Sequence, residues 1–156
     1  MALRIGARSS LEGAAMILLG HAAEVHDFGK IFVDADILQK PGRLNKAQRA
    51  QMEKHCELGC EAMELLHLPR EIMDAILCHQ EHWDGSGYPK KLQGEQIPLF
   101  ARIVCLADTW DALNSNRPYR PAWSAVKALE IMTKHATWFD PNLFGIFLEL
   151  VREGES

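Results

Sequence analysis

Apolar and small residues in this chain recur at helical spacing, and no stretch alternates apolar with polar residues between hairpin turns. That property excludes most sheet architectures. Met52, Cys56, Gly59, Met63 and Leu66 trace one face of a long helix, Lys46 to Leu66, with Asn45 as its cap. Leu11 to Val25 reads as an earlier helix capped by Ser9 or Ser10. Pro69 opens another that runs to about Glu81, and Pro98 starts Leu99 to Asn114. Ser124 to His135 and Pro141 to Arg152 complete the set. Phe32 to Asn45, with its Lys40-Pro41-Gly42 turn, and Trp83 to Pro98, rich in glycine and proline, read as loops. Arg117-Pro118-Tyr119-Arg120-Pro121 interrupts the helical pattern, because proline removes a backbone donor and restrains the residue before it. The expected fold is all-α, a bundle of about six or seven helices.

Its 156 residues fit one domain, and no repeat or linker divides them. Four tryptophans, six phenylalanines and a 47% hydrophobic composition argue for a packed core over disorder. A net charge of −4 excludes the basic footprint that duplex nucleic acid needs, yet allows a small anionic ligand held by local cations. The longest apolar stretches, such as Ala14 to Gly20, fall far short of the ~20 residues of a membrane span. Arg4 and Arg8 precede no continuous apolar segment with a cleavage site, so no signal peptide is expected. Cys56, Cys60, Cys78 and Cys105 form no C-x-x-C pair. They read as reduced, mostly buried thiols of a cytoplasmic protein, with a role as soft metal ligands the lesser reading.

Seven histidines divide into two groups. His21, His67, His82 and His135 stand alone and read as surface or capping residues. His26, His55 and His79 each sit beside the core stripe of a predicted helix, His55 on the face of Met52, Cys56 and Gly59. Asp108 lies on an apolar helix, with Val104 four residues before it and Ala112 four after. A carboxylate there is costly unless paired or metal-bound. Three imidazoles with Asp27 and Asp108 make a nitrogen- and oxygen-rich set that suits iron, manganese, zinc or nickel better than calcium. Adjacent His and Asp side chains at a helix end can diverge, one binding terminally while the carboxylate bridges.

His26-Asp27-Phe28-Gly29-Lys30 resembles the signature of the HD phosphohydrolase superfamily. His82-Trp83-Asp84-Gly85-Ser86-Gly87-Tyr88-Pro89 resembles the second signature of its HD-GYP branch. Further matches follow in the expected order: Lys40-Pro41-Gly42, His55, Ile97-Pro98 with Ala101-Arg102-Ile103, Ala107-Asp108 with Asp111-Ala112-Leu113, Arg117-Pro118-Tyr119-Arg120, and Phe139-Asp140-Pro141. The resemblance spans roughly residues 20–150.

It implies an HD-type helical bundle with the GYP loop (Gly87, Tyr88, Pro89) between two core helices. It implies a centre of two or three divalent transition metals, iron or manganese ahead of nickel or zinc. Their ligands would be His26, Asp27, His55, His79 and Asp108, with Gln80 where the family has a second histidine. Lys30 would contact the scissile phosphate and share the catalytic work with Asp27, while Arg117 and Arg120 would reach the phosphates or guanine. The implied activity is metal-dependent hydrolysis of cyclic di-GMP to pGpG and/or GMP in bacterial second-messenger signalling, with GGDEF-domain proteins as partners. A degenerate domain that only binds cyclic di-GMP or a GGDEF protein is the alternative.

The pattern is not complete. The family carries a metal-binding histidine some thirty residues upstream of the His-Asp pair, and here only 25 residues precede His26. His21 lies ~140° round a helix from His26 and substitutes poorly. The expectation is therefore a single domain, residues 1–156, lacking the family's first helix. Lys91 replaces a usual glycine and Asp34 a usual proline, both at small expected cost.

Overall fold

A computed structural model describes residues 1–116 and 121–154. Among the described residues there are nine α-helical segments, three short 3-10 turns and no strand. The helices are α1 (Ala2–Arg8), α2 (Gly13–Val25), α3 (Ala35–Leu38), α4 (Lys46–Glu53), α5 (His55–Glu64), α6 (Arg70–Cys78), α7 (Leu99–Asn114), α8 (Ala125–Lys134) and α9 (Pro141–Gly154). The all-α expectation holds, with nine α-helical segments among the described residues where about six or seven helices were expected, and the loop between α6 and α7 carries Gly87, Tyr88 and Pro89.

Helix α7 is the axis of the bundle, packing against α1, α2, α6, α8 and α9. Its buried stripe of Phe100, Ile103, Val104 and Leu106 meets Ile5, Leu19, Ile76 and Phe147, which are fully buried. Each such side chain contributes about 1.5–3 kcal/mol on burial. Local signals set the helix starts. Asn45 and Gln48 form a reciprocal capping box at α4, and the Ser124 hydroxyl accepts from the Lys127 amide at α8. Pro69 and Pro98 stand immediately before α6 and α7.

Four local expectations need correction. Residues Ala2–Arg8 form a helix; Ser9 closes it, and Ser10 turns through φ 64, so neither serine caps α2. The loop before Asn45 contains α3, capped by Asp34, whose side chain accepts from the Asp36 amide; Asp34 thus suits its position. The long helix is interrupted at Lys54, where the His55 ring donates to the Met52 carbonyl of the preceding turn. Helix α6 ends at Cys78 rather than near Glu81, which leaves His79 at its C-cap.

One backbone contact brings the site together. The 3-10 turn Phe28–Phe32 lies directly on α5, with Gly29 against the backbone of His55 and Gly59. A Cβ on Gly29 would fall inside the His55 carbonyl, and one on Gly59 would come within 3.0 Å of the Gly29 nitrogen. Only glycine allows this approach.

Candidate metal centre

His26, Asp27, His55 and His79 occupy helix ends, where side chains can turn inward past the last hydrogen-bonded turn. Each histidine uses the same device. His26 Nδ1 donates to the Ala23 carbonyl at 2.8 Å, His55 Nδ1 to Met52 at 2.7 Å, and His79 Nδ1 to Ile76 at 3.0 Å. A carbonyl can only accept, so Nδ1 carries the proton and Nε2 keeps its lone pair. Three Nε2 lone pairs are thereby aimed at a shared space.

Asp27 is at the middle of that space. Its Oδ1 lies 3.4 Å from His55 Nε2 and 3.5 Å from His79 Nε2, while Oδ2 lies 3.5 Å from His26 Nε2 and pairs with Lys30 Nζ. Asp108 joins from α7: Oδ1 is 3.7 Å from His26 Nε2, and Oδ2 accepts from Gln80 Nε2 at 3.4 Å. The five residues expected to share a centre therefore do converge, with Lys30 on their rim and Gln80 reaching them through Asp108. Arg117 and Arg120 lie outside the described residues.

The electrostatics match this crowding. Burial would raise the Asp27 carboxyl, but the close His55 and His79 rings and the charges of Lys30 and His26 hold it far below the usual range. Asp108 behaves likewise: burial opposes ionisation and His26 prevails. Burial and the neighbouring His26 and His55 lower the His79 imidazole, keeping it neutral. Burial also works against a charged His26, but Asp108 and Asp27 outweigh it and raise the ring, so a proton competes with an ion for its Nε2 lone pair.

Two atoms decide whether the set fits a metal. His26 Nε2 and Asp27 Oδ1 are buried without a hydrogen-bond partner, and His55 Nε2 lies 3.2 Å from His79 Nε2 with both protons committed elsewhere. Facing lone pairs and an orphaned carboxylate oxygen are costly unless a cation lies between them. Donors of His26, Asp27 and His79 fall within 4.8 Å of one another, as do those of His55, Cys56 and His79. The residues fit divalent transition metals. A groove of about 560 Å³ between α1, α2 and α7 reaches His26 and Asp108, with Arg4, Glu24, Trp110 and Asp111 along it.

The loop after α6 is fastened to this centre. Glu81, 1% exposed, accepts from the amides of Lys90 at 2.6 Å and Leu92 at 3.1 Å. The Tyr88 amide donates to the Gln80 carbonyl, the Tyr88–Pro89 bond is cis, and the Tyr88 ring stands edge-on 6.3 Å from His55. Gly87 has no room for a Cβ against the backbone of residues 80–82. Lys91 is left-handed at φ 57, so its substitution for glycine carries strain that the sequence reading did not foresee. Its ammonium donates back to the Gly87 carbonyl. Glu81 was missed from sequence; its one signal was a carboxylate at the end of an apolar helix.

Other residues take different places. His21, His67 and His135 are exposed, whereas His82 is half-buried, stacked 4.4 Å from Trp138 and bonded to Ser86. His82 is thus neither a free surface residue nor a helix cap. All four cysteines are free thiols; burial pushes Cys78 and Cys105 up to about 12. Asp140 caps α9 through the amides of Asn142 and Leu143 and holds Arg102 at 2.6 Å, so this motif is structural. No helix among the described residues is long and apolar enough to cross a membrane.

A family model described as an HD domain matches residues 1–143. The chain belongs to the HD domain family. Its Gly87-Tyr88-Pro89 loop makes it an HD domain of the HD-GYP type. It is 38% identical over 138 residues to 3′3′-cGAMP-specific phosphodiesterase 2 of Vibrio cholerae, covering 85% of this chain and 26% of that protein. It is 41% identical over 139 residues to a cyclic di-GMP phosphodiesterase of the same organism, covering 84% and 28%. The HD-GYP domain thus spans little more than a quarter of those relatives. Among solved structures, Bd1817, an HDG"Y"P protein from Bdellovibrio bacteriovorus, superposes with a TM-score of 0.78 at 18% identity, over 97% of this chain and 49% of that one. That likeness is one of fold.

Proposed function

We propose that this HD-GYP domain is a metal-dependent phosphodiesterase that opens a cyclic dinucleotide, cyclic di-GMP first, to linear pGpG and by a second cleavage to GMP. The observation that carries this reading is the set of three Nε2 lone pairs around Asp27, with His26 Nε2 and Asp27 Oδ1 buried without a hydrogen-bond partner. The names of its relatives support the substrate class, and those named for 3′3′-cGAMP make that nucleotide the second candidate. Iron or manganese is the proposed metal, with nickel and zinc as alternatives.

When bound, the ions supply a water acidic enough to act as hydroxide near neutral pH and charge to offset that on phosphate. The residues do the rest. His26, His55 and His79, their rings fixed by backbone carbonyls, would hold the ions through Nε2. Asp27, which has different neighbours on each oxygen, and Asp108 would offset their charge. The Lys30 ammonium, held on Asp27, would offset charge on a phosphoryl oxygen. The groove beside His26 and Asp108 admits the nucleotide; its size lies within the usual ~300–1,000 Å³ of ligand sites. Hydrolysis adds water across one P–O3′ bond, leaving a 5′-phosphate and a free 3′-hydroxyl.

The test is to incubate metal-loaded domain with cyclic di-GMP and with 3′3′-cGAMP and chromatograph the products. Linear dinucleotide is expected, and none after chelation. No product from either nucleotide with iron, manganese, nickel and zinc would overturn the reading.

A further inference from the structure

Cys56 belongs to none of the matched motifs, yet it is fully buried with its Sγ 3.5 Å from His55 Nε2. Sγ and the ring nitrogens of His55 and His79 all lie within 4.8 Å of one another. Those two histidines are 1% exposed each, and their Nε2 atoms face each other at 3.2 Å with both Nδ1 protons bound to backbone carbonyls. Facing lone pairs repel unless a proton or a cation lies between them, and the thiol sulfur is the third possible ligand atom at that spot. The other cysteines offer a contrast. Cys60, Cys78 and Cys105 are absent from every such donor group among the described residues.

Resting on the metal-dependent reading above, we propose that Cys56 is a thiolate ligand, sharing one ion with His55 and His79. The centre is then asymmetric. His26, Asp27 and Asp108 give one side nitrogen and oxygen donors, while His55, His79 and Cys56 give the other nitrogen and sulfur. On binding, the thiol proton leaves to solvent and the S–metal bond replaces the S–H bond. Thiolate favours zinc, iron or cobalt over manganese on that side. Without an ion, the same contact is an S–H hydrogen bond to His55 Nε2.

Cobalt(II) is the probe, because ligand-field bands in the visible report any bound ion while a near-ultraviolet charge-transfer band reports thiolate. The whole chain loaded with cobalt is expected to show both. Cys56→Ser is expected to lose the near-ultraviolet band and keep the visible ones, and to bind zinc at least ~10-fold more weakly; Cys60→Ser is expected to keep both bands. Should Cys56→Ser lose its helical circular dichroism, Cys56→Ala replaces it. Visible bands without charge transfer in the unaltered chain, or charge transfer that survives in Cys56→Ser, would overturn the thiolate and leave the metal centre standing. Neither band would overturn both.

Discussion

Two kinds of carboxylate with buried oxygens coexist in this domain. Asp140 and Glu81 are satisfied by the protein itself: Asp140 takes two amides and the Arg102 guanidinium, and Glu81 takes one amide on each oxygen. Asp27 has Lys30 on one oxygen, while the other faces only the lone pairs of His55 and His79 and lacks a hydrogen-bond partner. All three sit within or beside matched motifs, so motif membership does not separate them. Partner accounting does. A carboxylate whose needs are met holds structure together, and one left short is the candidate for a functional role.

That distinction breaks if the two classes respond alike to substitution. The largest effect on stability is expected at Asp140→Ala, which strands Arg102 and should cost about 3–5 kcal/mol, read as a loss of roughly 10 °C or more in Tm. Asp27→Ala should cost the metal-free domain less than ~1 kcal/mol while lowering turnover at least ~100-fold. A metal at a hundred times its Kd should stabilise the unaltered chain by about 2.7 kcal/mol, and Asp27→Ala should show little of that shift. If Asp27→Ala instead melts the metal-free fold as Asp140→Ala does, Asp27 is structural. Gly29→Ala should cost about 1–3 kcal/mol, because its Cβ overlaps the His55 backbone, and weaken metal binding with it. The smallest change should come from Lys91→Gly. Relief of the left-handed strain is worth about 1 kcal/mol, offset in part by the lost bond to Gly87, so denaturant melts should show a gain below that figure.

Much of the helical framework could be read locally. Asn45, Pro69, Pro98 and Ser124 mark helix starts because capping and proline geometry act over three or four residues. The centre was legible for a different reason: His26, His55 and His79 are polar groups on otherwise apolar stripes. Glu81 and Cys56 were not. Glu81 gains meaning only from amides nine and eleven residues further on, and Cys56 looks like any buried thiol until His79 arrives beside it. The strain at Lys91 was hidden too, since a residue's φ depends on how its loop is fastened.

From sequence alone came the helical class, most element starts, and the residue types able to bind a transition metal. Those rest on interactions between near neighbours. Tertiary structure alone decided that the imidazoles meet, since residues 24 positions apart, His55 and His79, must be carried together by packed helices. It also decided which carboxylate goes without a partner. The Gly29–Gly59 approach makes that meeting possible, and no local rule predicts where two backbones will touch.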